Sequence, residues 1–170
     1  MLNKTLSDID AVMGRINTHP DYSGCVARES YHALREEAEK HSLDLELESE
    51  ERILKPKERT NFLNRLKDAE DYLLRDGIDH ISLSKLGHII VPKHHHYTGF
   101  RRTSGTLVHS RNNSFETPDS KMILPEIMNL IGFLRDSNFH PVVRASNAHI
   151  EIVRIHPYED GNGRAGRLLQ

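Results

Sequence analysis

The sequence predicts an all-α domain carrying one short β-hairpin. Three observations lead there. Apolar residues recur at helical spacing in separate runs, most clearly Leu63, Leu66, Ala69, Leu73 and Leu74, and that spacing lines one face of a helix. Prolines stand where helices are expected to open, at Pro56, Pro125 and Pro141, where the missing N–H has no helical partner to lose. Only residues 92–120 break the pattern. They are rich in Thr, Ser, Arg and Asn, and Thr106-Leu107-Val108-His109 and Phe115-Glu116-Thr117 flank a turn-like Arg111-Asn112-Asn113-Ser114.

Taken in order, Leu6, Ile9, Met13 and Ile16 predict a helix over 7–18 with Ser7 as its cap. His19 to Gly24 is a turn cluster. A charged helix follows over 26–41, with Glu36, Glu37, Glu39 and Lys40 on a solvated face. The amphipathic helix over 57–75 stops at Asp76-Gly77. Ser82 to Ile90 forms a short helix, and the hairpin comes next. From about Pro125 to Asp136 a helix presents Ile127, Leu130, Ile131 and Leu134 on one face. Another opens at Pro141 and carries Val142, Ala145, Ala148, Ile152 and Val153. It ends at His156, because Pro157 disfavours helical geometry in the residue before it. Pro157 to Gly161 is then a loop, and a last helix begins near Asn162. Residues 1–56 are expected to form an N-terminal helical, regulatory region and residues 57–170 the core of the main domain.

Composition narrows the function. The chain has 170 residues, enough for a core without staples. Its 23 basic and 25 acidic residues nearly cancel, whereas a generic nucleic-acid binder carries a basic excess. No apolar run reaches the ~18 residues of a membrane span. Cys25, the single cysteine, has no partner within the chain for a disulfide. Lys4, Asp8, Asp10 and Arg15 make the N-terminus unlike a signal peptide.

The chemistry gathers at His156-Pro157-Tyr158-Glu159-Asp160-Gly161-Asn162-Gly163-Arg164-Ala165-Gly166-Arg167. Free N–H groups at a helix start bind anions, and flanking glycines let a phosphate approach closely. Arg164 and Arg167 lie three apart on one face of that helix. Two cations in its first turns oppose the helix dipole, at about 0.3–1 kcal/mol each. A bound polyphosphate reverses that sign. Asp160 is placed to hold Mg²⁺, which reaches proteins through one or two carboxylates plus phosphates and water. His156 is the only group here that acts as a base near neutral pH. A calcium loop is excluded, because aligning Gly163 with its sixth position puts Tyr158 and Leu169 where carboxylates belong. A literal P-loop is absent. The remaining alternative is a plain Gly-rich turn with two surface arginines.

This segment resembles the core motif of the Fic (Fic/Doc) family, His-Pro-Phe-x-[Asp/Glu]-Gly-Asn-[Gly/Lys]-Arg-x-x-Arg, with Tyr158 in place of Phe. The likeness extends upstream through Phe139–Ile155 and to Thr98–Val108, and covers about residues 57–170. It implies a Fic-like helical domain and a protein adenylyltransferase, which moves AMP from ATP to a Ser, Thr or Tyr hydroxyl of a target protein. His156 would be the base and Asp160 the Mg²⁺ ligand. Gly161, Asn162 and Gly163 would line the anion hole, and Arg164 and Arg167 would hold the distal phosphates, Arg167 the γ-phosphate. Thr106, Leu107 and Val108 would dock the target as an added strand.

Many members are inhibited by a helix bearing [Ser/Thr]-x-x-x-Glu-[Gly/Asn]. The nearest stretch here runs from Ser42 to Glu46, followed by Leu47 rather than Gly or Asn. The resemblance also leaves room for transfer of UMP, phosphocholine or phosphate, for removal of AMP, and for an inactive Fic-like binding module. Family members continue past the motif, so the expectation is a domain core truncated at Gln170, its activity as a fragment open. A cytoplasmic protein is expected, or one delivered to a host cytosol. A homo-oligomer is compatible with the sequence.

Two further features have bland readings. His94, His95 and His96 are read as a solvated loop, since three adjacent residues do not readily face one ion. His149, near two turns before His156, is read as a hydrogen-bonded core or supporting histidine.

Overall fold

The computed structural model describes residues 2–18, 33–34, 36–38, 40–44, 55–92, 99–109 and 114–170. It divides into two compact units, Met1–Ile53 and Leu54–Gln170.

In the first unit, helix α1 spans Leu2–Thr18. It begins more than a turn before the expected start at Ser7, because nothing in residues 2–6 breaks a helix. Residues 33–34, 36–38 and 40–44 are also helical. Glu36 and Glu37 are exposed there, and Lys40 bridges to Glu36 at 2.9 Å, four residues apart. Ser42 and Leu43 are buried. Glu46 lies outside the described residues, as does the rest of the expected 26–41 helix.

The second unit holds α2 (Pro56–Asp76), α3 (His80–Ile90), β1 (Leu107–His109), β2 (Ser114–Glu116), a 3₁₀ turn at Ser120–Met122, α4 (Ile123–Arg135), α5 (Pro141–Ile155) and α6 (Asn162–Leu168). Pro56 takes the first helical position of α2, and Gly77 ends that helix at φ 76°. Helix α3 starts ahead of the expected Ser82 because Asp79 caps it. The Asp79 carboxylate accepts from the Ser82 N–H at 2.7 Å, and the Ser82 hydroxyl accepts from the Asp79 N–H at 2.8 Å. Pro125 sits within the first turn of α4, where its lost N–H is harmless. The imidazole of His140 caps α5, accepting from the Val142 N–H at 3.2 Å.

The two strands pair antiparallel, with Leu107 opposite Glu116, Val108 opposite Phe115 and His109 opposite Ser114. The expected turn lies partly outside the described residues, as do His94–His96 and Thr98.

Helices α2, α3, α4 and α5 enclose one apolar core, and α6 packs on α5, α3 and α2. Leu83, Leu86, Ile127, Ala148, Ile152, Ile155 and Ala165 are fully buried in it. A helix as short as α6 has little stability of its own. Its buried Ala165 and Gly166 and the following Leu169 anchor it to that core.

Tyr158 is the keystone between α3 and the loop before α6. It is 0% exposed, and its hydroxyl donates to the Leu83 carbonyl at 2.6 Å. Burial pushes that hydroxyl far above the ordinary phenol range. The ring lies on Gly87, where an added Cβ would stand 2.4 Å from the Tyr158 Cδ1. Gly87→Ala in a helix normally gains up to about 1 kcal/mol. Here it is expected to lose about 1–3 kcal/mol through overpacking, read as a lower midpoint in urea unfolding. An unchanged midpoint would mean that the ring can move aside.

Candidate active site

The site is the loop between α5 and α6. Helix α5 ends where the His156 N–H donates to the Ile152 carbonyl at 3.0 Å. Pro157 was expected to end the helix at His156, and it does. His156 adopts the left-handed conformation, φ 52° and ψ 57°, and is the single non-glycine with positive φ among the described residues. That geometry closes the helix end but is strained for a residue with a Cβ. It also aims the imidazole.

Nδ1 of His156 lies 3.4 Å from the Val153 carbonyl. A carbonyl only accepts, so Nδ1 carries the proton and Nε2 keeps its lone pair. Burial pushes the His156 pKa down. The Val153 bond opposes this, Arg101 adds to it, and Asp160 and Glu159 act against it. The neutral, base-competent form is therefore favoured at neutral pH.

Two internal ties shape the loop. The Asn162 side chain accepts from the Tyr158 N–H at 2.9 Å and donates to the Tyr158 carbonyl at 2.9 Å. Its side-chain amide is thereby committed to the loop. Gly161 stands at φ 85°, and a Cβ there would come within 3.0 Å of Val91 and 3.1 Å of Ile90. The position therefore demands glycine for both backbone and space.

Asp160 accepts at one carboxylate oxygen from the Gly161 N–H at 2.5 Å and from Arg164 at 2.9 Å. The Arg164 side chain is 6% exposed and stacks 5.2 Å from the centre of the Phe62 ring. Arg164 thus braces the carboxylate from inside the protein. The Arg167 guanidinium curls back toward the helix start, 3.3 Å from where a Cβ of Gly163 would stand. Both cations accordingly sit at the positive end of the α6 dipole. Arg65 on α2 adds a third guanidinium that sequence reasoning missed. Burial and the nearby Arg164 both disfavour its charge, and its buried Nε has no hydrogen-bond partner among the described residues.

The donor set fits Mg²⁺. Asp160 offers a hard carboxylate oxygen, held in place by Arg164. That is the arrangement suited to an ion that arrives with phosphates.

The expected docking strand, Thr106 to Val108, forms the entry and first strand of the hairpin. Leu107 is 51% exposed, and the sheet has two strands among the described residues. Ser42, of the expected inhibitory stretch, belongs to the other compact unit.

His149 rests against Gly166, where a Cβ would meet its Nδ1 at 3.3 Å. It is a packing histidine whose buried Nδ1 has no well-formed partner among the described residues, with the Gly166 backbone as its nearest polar neighbour. Burial and Arg167 push its pKa down, with the Gly166 backbone opposing.

Both imidazoles therefore bind a proton less readily in the folded state than in the unfolded one. Their contribution is fully present above the unfolded value near ~6.5 and is lost as pH falls toward the folded values. Urea midpoints should drop between about pH 7.5 and pH 5.5, and His149→Gln should flatten that drop. A midpoint independent of pH in this window would contradict both shifts.

Comparison with solved structures places the architecture first. The crystal structure of a Fic family protein from Desulfovibrio desulfuricans G20 matches with TM-score 0.71 and 22% identity, over 96% of this chain and 55% of that one. The Fic/DOC family profile matches residues 63–170, and the chain belongs to that family. Shorter matches join it to named relatives. It is 61% identical over 31 residues to protein adenylyltransferase Fic of Aedes aegypti, which is 18% of this chain and 6% of that protein. It is 37% identical over 57 residues to protein adenylyltransferase fic-1 of Caenorhabditis elegans, 31% of this chain and 11% of that protein. No helix among the described residues is long and apolar enough to cross a membrane.

Proposed function

We propose that this chain carries the catalytic core of a protein adenylyltransferase, transferring AMP from ATP to a Ser, Thr or Tyr hydroxyl of a target protein. The observation that carries the reading is His156. Its Nδ1 is tied to a carbonyl, which leaves the lone pair on Nε2, and the glycine turn with Arg164 and Arg167 follows it directly in the chain. Nε2 takes the proton of the target hydroxyl as its oxygen bonds to the α-phosphorus. The bond from that phosphorus to the bridging oxygen breaks, and pyrophosphate leaves. Arg167 holds the distal phosphates, and Arg164 keeps Asp160 in place. Asp160 would hold Mg²⁺, which when bound offsets phosphate charge. The hairpin pairs with the target's main chain and brings its hydroxyl to the base.

Intact-mass measurement of the full-length protein with Mg·ATP tests this. One AMP is gained by the protein or a presented substrate, and none by His156→Ala. An adduct of another mass would replace AMP with a different transferred group. ATP binding without any adduct would overturn the transfer reading.

A further inference from the structure

We propose that Arg101 is a positioning residue that fastens the docking hairpin to the backbone of the base, so that hairpin and His156 keep one relative geometry. The proposal rests on the adenylyl-transfer reading for its consequence, though not for the contacts themselves.

Arg101 is 4% exposed. Its hydrogen-bond partners are carbonyls and one hydroxyl rather than a carboxylate, and burial disfavours its charge. Such a placement is costly, and packing alone calls for no guanidinium there. Its value lies in direction, since the planar fork carries five N–H donors. On one side Nε donates to the His156 carbonyl at 2.6 Å and Nη2 reaches the Ile155 carbonyl at 3.4 Å. The Arg101 backbone N–H donates to the Pro157 carbonyl at 2.8 Å. The Ile155 and His156 carbonyls stand at the C-terminal end of α5, where carbonyls lack helical partners and a cation suits the dipole.

On the other side Nη1 donates to the Thr103 carbonyl, and Nη2 to the Thr117 hydroxyl at 3.0 Å and the Pro118 carbonyl at 2.7 Å. Thr117 closes the base of the hairpin, with its N–H and hydroxyl both on the Thr106 carbonyl at 3.0 and 3.1 Å. Thr103 adds a second tie through its hydroxyl to Glu159, 3.2 Å from each carboxylate oxygen. The chain entering the hairpin and the chain leaving it are both bound to the strained turn at His156. A hydroxyl carried by a target strand on this hairpin thus inherits its distance to Nε2 from Arg101.

The test uses the full chain with Arg101→Gln and Thr117→Val. For Arg101→Gln, amide exchange quickens at β1 and β2 and at His156 and Tyr158 together. The kcat for transfer falls about 100-fold, as for an ångström of misplacement, with KM for ATP unchanged. The histidine NMR titration of His156 moves up, because the nearby cation is gone while Val153, Asp160 and Glu159 still face the ring. Thr117→Val gives a smaller loss of the same kind, seen at the hairpin and in kcat, and it decides the matter should Arg101→Gln fail to fold. Wild-type kcat in a folded Arg101→Gln, hairpin exchange that quickens without any change at His156, or a quickened hairpin in Thr117→Val at full kcat would each overturn the proposal. If the wild type transfers nothing, the enzymatic reading falls, while the exchange and titration results still decide the clasp.

Discussion

Replacing His156 with alanine is expected to lower the proposed adenylyl transfer by roughly 10²–10⁴-fold, the usual contribution of a positioned general base. On the same proposal Mg·ATP binding is expected to be retained, because Arg164 and Arg167 of α6 stay in place. The imidazole also sits in a left-handed turn that alanine adopts at some strain. Asparagine tolerates that conformation better, so His156→Asn separates loss of the base from loss of the turn and should be equally inactive. In the wild type the rate should be flat near neutrality and fall on the acid side. The midpoint should lie below the ordinary imidazole value of about 6.5, since burial first and Arg101 further on favour the neutral ring. A His156→Asn protein that transfers at the wild-type rate would remove His156 from the chemistry.

Tyr158→Ala costs about 3–5 kcal/mol, the range for truncating a fully buried aromatic. The ring is 0% exposed, sits on Gly87, and lies 6.1 Å from the Phe100 ring. Gly87 has no side chain to refill the space, so the cavity cannot collapse from that side. Tyr158→Phe removes only the bond to the Leu83 carbonyl and should cost about 0.5–1.5 kcal/mol. Urea unfolding of the two variants separates the contributions of ring and hydroxyl. Similar losses in both would mean that the hydroxyl, rather than the ring, holds the loop.

Local features of the fold were legible because their causes are local. Pro56 and Gly77 bracket α2, Pro141 and Pro157 bracket α5, and the apolar spacing in between names the buried face. The start of α3 was missed by the side chain that sets it, since Asp79 reads as a loop residue until its carboxylate is seen on the Ser82 N–H. The start of α1 was misplaced because Ser7 suits a cap and a helix interior alike. The residues gathered in the terminal motif were visible as a group, since a loop keeps neighbours together. What supports them was not. Gly87, Leu83, Phe62, Arg65 and Arg101 reach the motif only through tertiary packing, and nothing in a glycine of α3 announces a tyrosine far along the chain. Arg101 reads as one of a basic pair with Arg102, and its burial distinguishes it only in three dimensions. The same limit explains His149, whose period placed it near the site but whose contact with Gly166 depends on how closely α5 and α6 cross.

The Asn162 amide returns to both backbone groups of Tyr158, making the segment between them a closed ring with no slack. One end of that ring is pinned by an aromatic side chain wedged on Gly87, the other by a glycine squeezed against Ile90 and Val91. Between these two pins the chain cannot change length. An inserted residue would lift Asn162 off Tyr158, and a deleted one would draw Gly161 out of its niche. Variation by insertion and deletion is thereby shut out of this stretch, whatever side chains it carries.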